Sequence, residues 1–250
     1  MDDNQKQKNW ALPVSIVIAG VIIAGSLYYS NISKSNPNNN RQKDVAAGLD
    51  ATKGRLEING PQNITADDHT LGNPNAELTM IIFTDTECPF CKNFHATLKQ
   101  LIEDYGKSGK IFFVLRHFPL DSLHSKSRKE AEATECAADI GGNEKFWQYL
   151  DRIFEITTSN DTLDPAQLPK IAEYIGLDVG KFNECLQSGK FKDKVERNVQ
   201  DAINSGGQGT PYSIIINKKG EKFPITGAYP YNQIKLIIEQ ILNGESPKTQ

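Results

Sequence analysis

Leu78-Thr79-Met80-Ile81-Ile82-Phe83-Thr84-Asp85-Thr86-Glu87-Cys88-Pro89-Phe90-Cys91 joins an apolar run to a Cys-x-x-Cys that opens a helical pattern. Two thiols at a strand-to-helix junction point to thiol-disulfide chemistry. Cys91, Phe94, Leu98, Leu101 and Tyr105 recur on one face at helical spacing, which sets Cys88 at the N-cap and Pro89 at the first helical position. Proline has no N–H to leave unpaired there, so the amides of Phe90 and Cys91 and the positive end of the helix dipole stabilise a thiolate on Cys88. Cys88 is the expected nucleophile, and Cys91, one turn later on the inward face, the expected resolving thiol.

Moving outward, Ile111 to Leu115 is a second apolar, β-branched-rich run, so the redox helix lies inside a β-α-β unit with parallel pairing. Tyr212 to Ile216 and Lys222 to Ile225 flank Asn217-Lys218-Lys219-Gly220 as a hairpin. A last helix over about 231–242 carries Ile234, Ile237, Ile238 and Ile241 on one face. Between these halves, residues 125–205 read almost entirely as helix. Asp164-Pro165-Ala166-Gln167 supplies an N-cap, a first-position proline and a capping-box Gln at one helix start.

Upstream, Ala11 to Tyr29 is a run of 19 residues without charge. At about 1.5 Å per residue it reaches roughly 28 Å, near a bilayer's hydrocarbon thickness. A membrane anchor is expected there, with residues 1–10 cytoplasmic, 30–53 a flexible Asn-, Ser- and Lys-rich tether, and 54–250 one domain. A cleaved signal peptide is the competing reading, although the run exceeds the usual h-region. The net charge of −3 and the absence of a basic cluster exclude a nucleic-acid footprint. Gly206-Gly207-Gln208-Gly209 lacks the Lys-Ser/Thr of a phosphate loop.

Phe83-Thr84-Asp85-Thr86-Glu87-Cys88-Pro89-Phe90-Cys91, Arg116-His117-Phe118-Pro119-Leu120, Lys145-Phe146-Trp147 and Gly209-Thr210-Pro211-Tyr212 together resemble the DsbA-like thiol-disulfide oxidoreductases over about residues 66–243. The resemblance implies an α/β thioredoxin fold with an all-helical domain inserted at about 125–205. It implies an extracytoplasmic enzyme that acts on the thiols of client proteins. It further implies that Pro211 is cis and faces the redox pair, with Thr210 and Pro211 offering backbone groups to a client. A DsbB-like or VKOR-like membrane enzyme would be the reoxidant. No cofactor and no resident metal are expected.

Cys136 shares a helical face with Ala133, Ala137 and Ile140, and Cys185 shares one with Phe182 and Leu186. In the compartment that the resemblance implies, two buried cysteines on packed helices pair, and the redox motif claims the other two. A structural Cys136–Cys185 disulfide is therefore expected. Asp85 and Glu87 admit two opposed readings. As charges they disfavour the Cys88 thiolate, and as proton acceptors they assist Cys91. Glu87 is thus a candidate modulator, as is Phe90, which places no charge where a histidine would. His69, His117 and His124 read as lone structural histidines and His95 as a partly exposed one. Phe146, Trp147 and Leu150 read as core of the helical domain. A disulfide-forming oxidase is the expected function, and three alternatives use the same residues differently: a disulfide isomerase or reductase, a metal site with Cys88, Cys91 and His95, or a tethered chaperone in which the Cys-x-x-Cys is a staple.

Overall fold

The computed structural model describes residues 60–247, so the expectations for 1–10, 11–29 and 30–53 lie outside the described residues. Among the described residues no helix is long and apolar enough to cross a membrane.

In chain order the elements are β1 (His69–Leu71), β2 (Leu78–Thr84), α1 (Pro89–Leu101), β3 (Ile111–His117), α2 (Ser127–Ile156), α3 (Gln167–Tyr174), α4 (Val179–Ser188), α5 (Lys192–Asn204), β4 (Tyr212–Asn217), β5 (Lys222–Thr226) and α6 (Tyr231–Leu242). The five strands form one sheet in the order β1-β3-β2-β4-β5. The central pair β2 and β3 is parallel, with Leu78 opposite Ile111 and Phe83 opposite Arg116, and every other pairing is antiparallel.

The sheet's two covered faces explain why β2 is a continuous apolar run. Met80 and Ile82 pack on one side with Leu98 of α1 and Ile234 and Ile238 of α6. Ile81 and Phe83 pack on the other with Phe112, Val114, Val199 of α5 and Ile214. β5 tolerates Pro224 because it is an edge strand. β1 had no sequence signal, being three residues long with a histidine and a threonine.

The insertion has its own core, in which Cys136, Ala137, Tyr149 and Ile153 of α2 meet Leu168 and Ile171 of α3 and Phe182 and Cys185 of α4. Its long helix α2 breaks at Gly142, whose φ of 78° and ψ of −174° suit only glycine. Two expectations change here. Phe146, Trp147 and Leu150 belong to the core under the sheet with Phe94 and Leu98, not to the insertion. The second half of α2 is apolar on two faces, one toward α1 and one toward α3 and α4, and so it ties both cores together. Helix α3 starts at Gln167 instead of just after Asp164. The Asp164 carboxylate accepts from Ala166 N at 2.9 Å, and Gln167 N and Leu168 N donate three residues back, so a turn precedes the helix.

Candidate active site

Cys88 is the N-cap of α1, with extended backbone (φ −79°, ψ 120°), and Pro89 follows it. The first helical hydrogen bond, Lys92 N to Cys88 O, is 3.0 Å. Both cysteines of the motif are free thiols. The nucleophile is more enclosed than an exposed N-cap would suggest, since Cys88 is only 4% exposed and Cys91 1%. The enclosure comes from the segment before β4: in its protonated form Cys88 Sγ donates to Thr210 O at 3.4 Å. The Thr210–Pro211 peptide is cis, which places these two residues of distant sequence at the thiol.

The Cys88 thiol is brought down to about 6 from an ordinary 9.0. A hydrogen bond from the Cys91 thiol is the largest cause. Burial opposes it, while the Thr210 side chain and the N–H groups of Cys91 and Phe90 add to it. The two amides are those that the proline-first helix start leaves free; the contributions of Cys91 and Thr210 depend on tertiary placement. Cys91 moves the opposite way, pushed up by burial and by Cys88, although Asp85 N donates to its sulfur at 3.4 Å. One sulfur is therefore a ready thiolate at neutral pH and its neighbour holds a proton. Phe90, between them, is 62% exposed.

Asp85 and Glu87 are not loose charges beside the thiol. Asp85 is 1% exposed and its carboxylate is fully engaged. Oδ1 accepts from Glu87 N (2.8 Å) and Ser127 Oγ (2.6 Å), and Oδ2 contacts Leu120 N (2.8 Å) and His124 Nδ1 (2.9 Å). Burial lowers the His124 pKa, but the Asp85 hydrogen bond and charge outweigh it, so the net shift is upward. Glu87, 0% exposed, accepts from Asp161 N at 2.8 Å, Leu163 N at 3.2 Å and Thr157 Oγ1 at 3.4 Å. Its carbonyl accepts from Asn160 N at 2.8 Å. The loop so held carries three consecutive left-handed residues, Ser159, Asn160 and Asp161. Glu87 therefore anchors an insertion loop to the residue before the nucleophile.

The histidines also differ from the sequence reading. His69 Nε2 and His117 Nε2 both lie on the Glu135 carboxylate, at 2.8 and 3.1 Å, with Lys194 Nζ 2.6 Å from Glu135 Oε2. His95 is buried and its Nε2 lies 2.6 Å from Asp151 Oδ1. Cys136 and Cys185 form a disulfide, with Cα atoms 5.8 Å apart.

Paired thiols at a helix N-terminus, facing a cis-proline on a thioredoxin-type sheet, define a thiol-disulfide oxidoreductase domain. The thioredoxin family model matches residues 65–239, and the chain belongs to that family. Its structural neighbours are DsbA-type enzymes. BdbD from Bacillus subtilis is 25% identical with a TM-score of 0.63, over 74% of this chain and 97% of that one. DsbA2 from Pseudomonas aeruginosa is 25% identical with a TM-score of 0.61, over 72% and 97%. Among curated proteins, a Na(+)/H(+) antiporter NhaA 3 of Salinispora tropica is 31% identical over 163 residues, or 65% of this chain. The chain spans only 24% of that relative's length, so the transport its name describes stays with that protein.

Proposed function

We propose that this protein is a membrane-tethered, extracytoplasmic thiol-disulfide oxidoreductase that works chiefly as an oxidase of client proteins. The observation that carries the direction is the Cys88 thiol, brought down to about 6. A stabilised thiolate favours the reduced pair and so makes its disulfide the stronger oxidant. In the forward reaction a client thiolate attacks Cys88 Sγ of the Cys88–Cys91 disulfide, and Cys91 leaves and takes up a proton. A second client thiolate then attacks the client sulfur of the mixed disulfide, and Cys88 leaves as a thiolate. Two client thiols are thereby oxidised and one enzyme disulfide is reduced.

Thr210 and Pro211 would present backbone to an extended client, and exposed Phe90 an apolar contact beside the sulfur. The resemblance to DsbA-like proteins supports a DsbB-like or VKOR-like membrane enzyme as acceptor of the electrons, and the uncharged run 11–29 supports the tether. The disulfide form should oxidise a reduced, unfolded client one-for-one, with the loss of two client thiols per enzyme. Binding of the client without thiol loss would favour a chaperone instead.

A further inference from the structure

Beneath the redox motif lies a carboxyl that the thiol exchange does not use. Glu130, in the first turn of α2, is 2% exposed, and its Oε2 has no hydrogen-bond partner among the described residues. Ser127, three residues before it on α2, meets Thr86 Oγ1 at 3.3 Å and donates to Asp85 Oδ1 at 2.6 Å, which sets Glu130 against Thr86 and Glu87, the two residues before Cys88. The other titratable groups around it are Asp85, which is bonded to His124, and Tyr149, whose hydroxyl donates to Leu168 O. Asp161 reaches Glu87 through its backbone N–H, while its carboxylate binds the amides of Ser125 and Lys126. The nearby ammonium groups of Lys92 and Lys126 donate to the carbonyls of Thr157, Asp161 and Leu163.

Two buried carboxyls in contact cannot both stay ionised in a low-dielectric interior. The donors around each decide which keeps the charge. Glu87 receives two backbone N–H groups and a hydroxyl, whereas among the described residues no donor reaches Glu130 Oε2. A proton on Glu130 turns the contact with Glu87 into a hydrogen bond and removes one of two buried charges. We propose that Glu130 and Glu87 hold one proton between them, carried on Glu130, and that Glu130 is thereby a positioning residue. It fastens the inserted helix α2, and through Glu87 the 157–163 loop, to the segment that ends in the nucleophile. Burial, reinforced by the facing Glu87 and by Asp85 and opposed by Thr86, pushes the Glu130 carboxyl up to about 8.

The pair is independent of the direction of thiol exchange, and its test uses the full chain in the disulfide form, where Cys88 does not titrate. The folded state keeps a proton that the unfolded chain releases above the ordinary value of 4.5. Stability from this group is therefore complete below that pH and is lost as pH rises toward about 8. Over that window the folding equilibrium constant should fall an extra tenfold per pH unit in the natural protein compared with Glu130→Gln. Infrared spectra at pH 7 should show a protonated-carboxyl carbonyl band that the variant lacks. If Glu130→Gln fails to fold, carbon-13 glutamate NMR of the natural protein decides the matter, with one carboxyl expected to titrate near pH 8. Equal pH slopes, a carbonyl band common to both proteins, or glutamates that all titrate below pH 6 would each overturn the proposal.

Discussion

The backbone carbonyl of Thr210 accepts a hydrogen bond from Cys88 Sγ across 3.4 Å, between residues separated by 122 positions. The Thr210 hydroxyl has no hydrogen-bond partner among the described residues, and it is among the groups that favour the Cys88 thiolate. The segment that begins β4 thus both covers the nucleophile and tunes it.

Thr210→Val removes that hydroxyl at nearly constant volume and leaves the carbonyl in place. The Cys88 pKa should rise from about 6, and the pair should become less oxidising. Thiolate absorbance titrated against pH reads this shift. An unchanged midpoint would assign the effect wholly to Cys91 and the helix amides.

Cys91→Ser should leave Cys88 able to form mixed disulfides that no longer resolve from within, so client adducts should accumulate. Cys88→Ser should accumulate none. Non-reducing gels of cells that express each variant separate the two outcomes, and equal trapping would remove Cys88 as the nucleophile.

These residues also mark what the sequence makes legible. Cys88, Pro89 and the inward face of α1 were readable because each depends on neighbours within a helical turn or two. Pro211 at the redox pair followed only from resemblance, since no local pattern predicts a contact over 122 residues. The partners of Asp85 and Glu87 were hidden for the same reason. Glu87 reaches Asp161 and Leu163, 74 and 76 residues away, so its proximity to Cys88 in sequence suggested a modulator where the structure has an anchor. His69 and His117 looked isolated because Glu135, which joins them, lies on the insertion. Trp147 was misassigned because α2 is apolar on two faces, and periodicity alone does not say which core each face meets.

The Cys136–Cys185 disulfide closes a loop of 49 residues within the insertion core. Replacing both by alanine should lower unfolding free energy by about 4 kcal/mol on the chain-entropy account. Thiol exchange by the fraction that remains folded should persist. Urea unfolding of the two proteins measures the first and the client-oxidation assay the second. An undiminished midpoint would mean that the bridge contributes nothing to stability.

The reduced protein should gain stability with rising pH in a particular window. Cys88 is depressed in the folded state, so its contribution is complete above the ordinary thiol value of 9.0 and is lost as pH falls through about 6. Relative to Cys88→Ala, the advantage should grow across that window to on the order of 4 kcal/mol. Urea titrations of both reduced proteins at intervals from pH 6 to 9 supply the comparison, and a constant difference would contradict the stabilised thiolate.

The reduction potential of the Cys88–Cys91 pair, measured by equilibration with glutathione at pH 7, tests the proposed oxidase most directly. The thiolate stabilisation places it well above the roughly −270 mV of thioredoxin, toward the roughly −120 mV of a strong protein oxidant. A value at or below that of thioredoxin would contradict the account and make the protein a reductase.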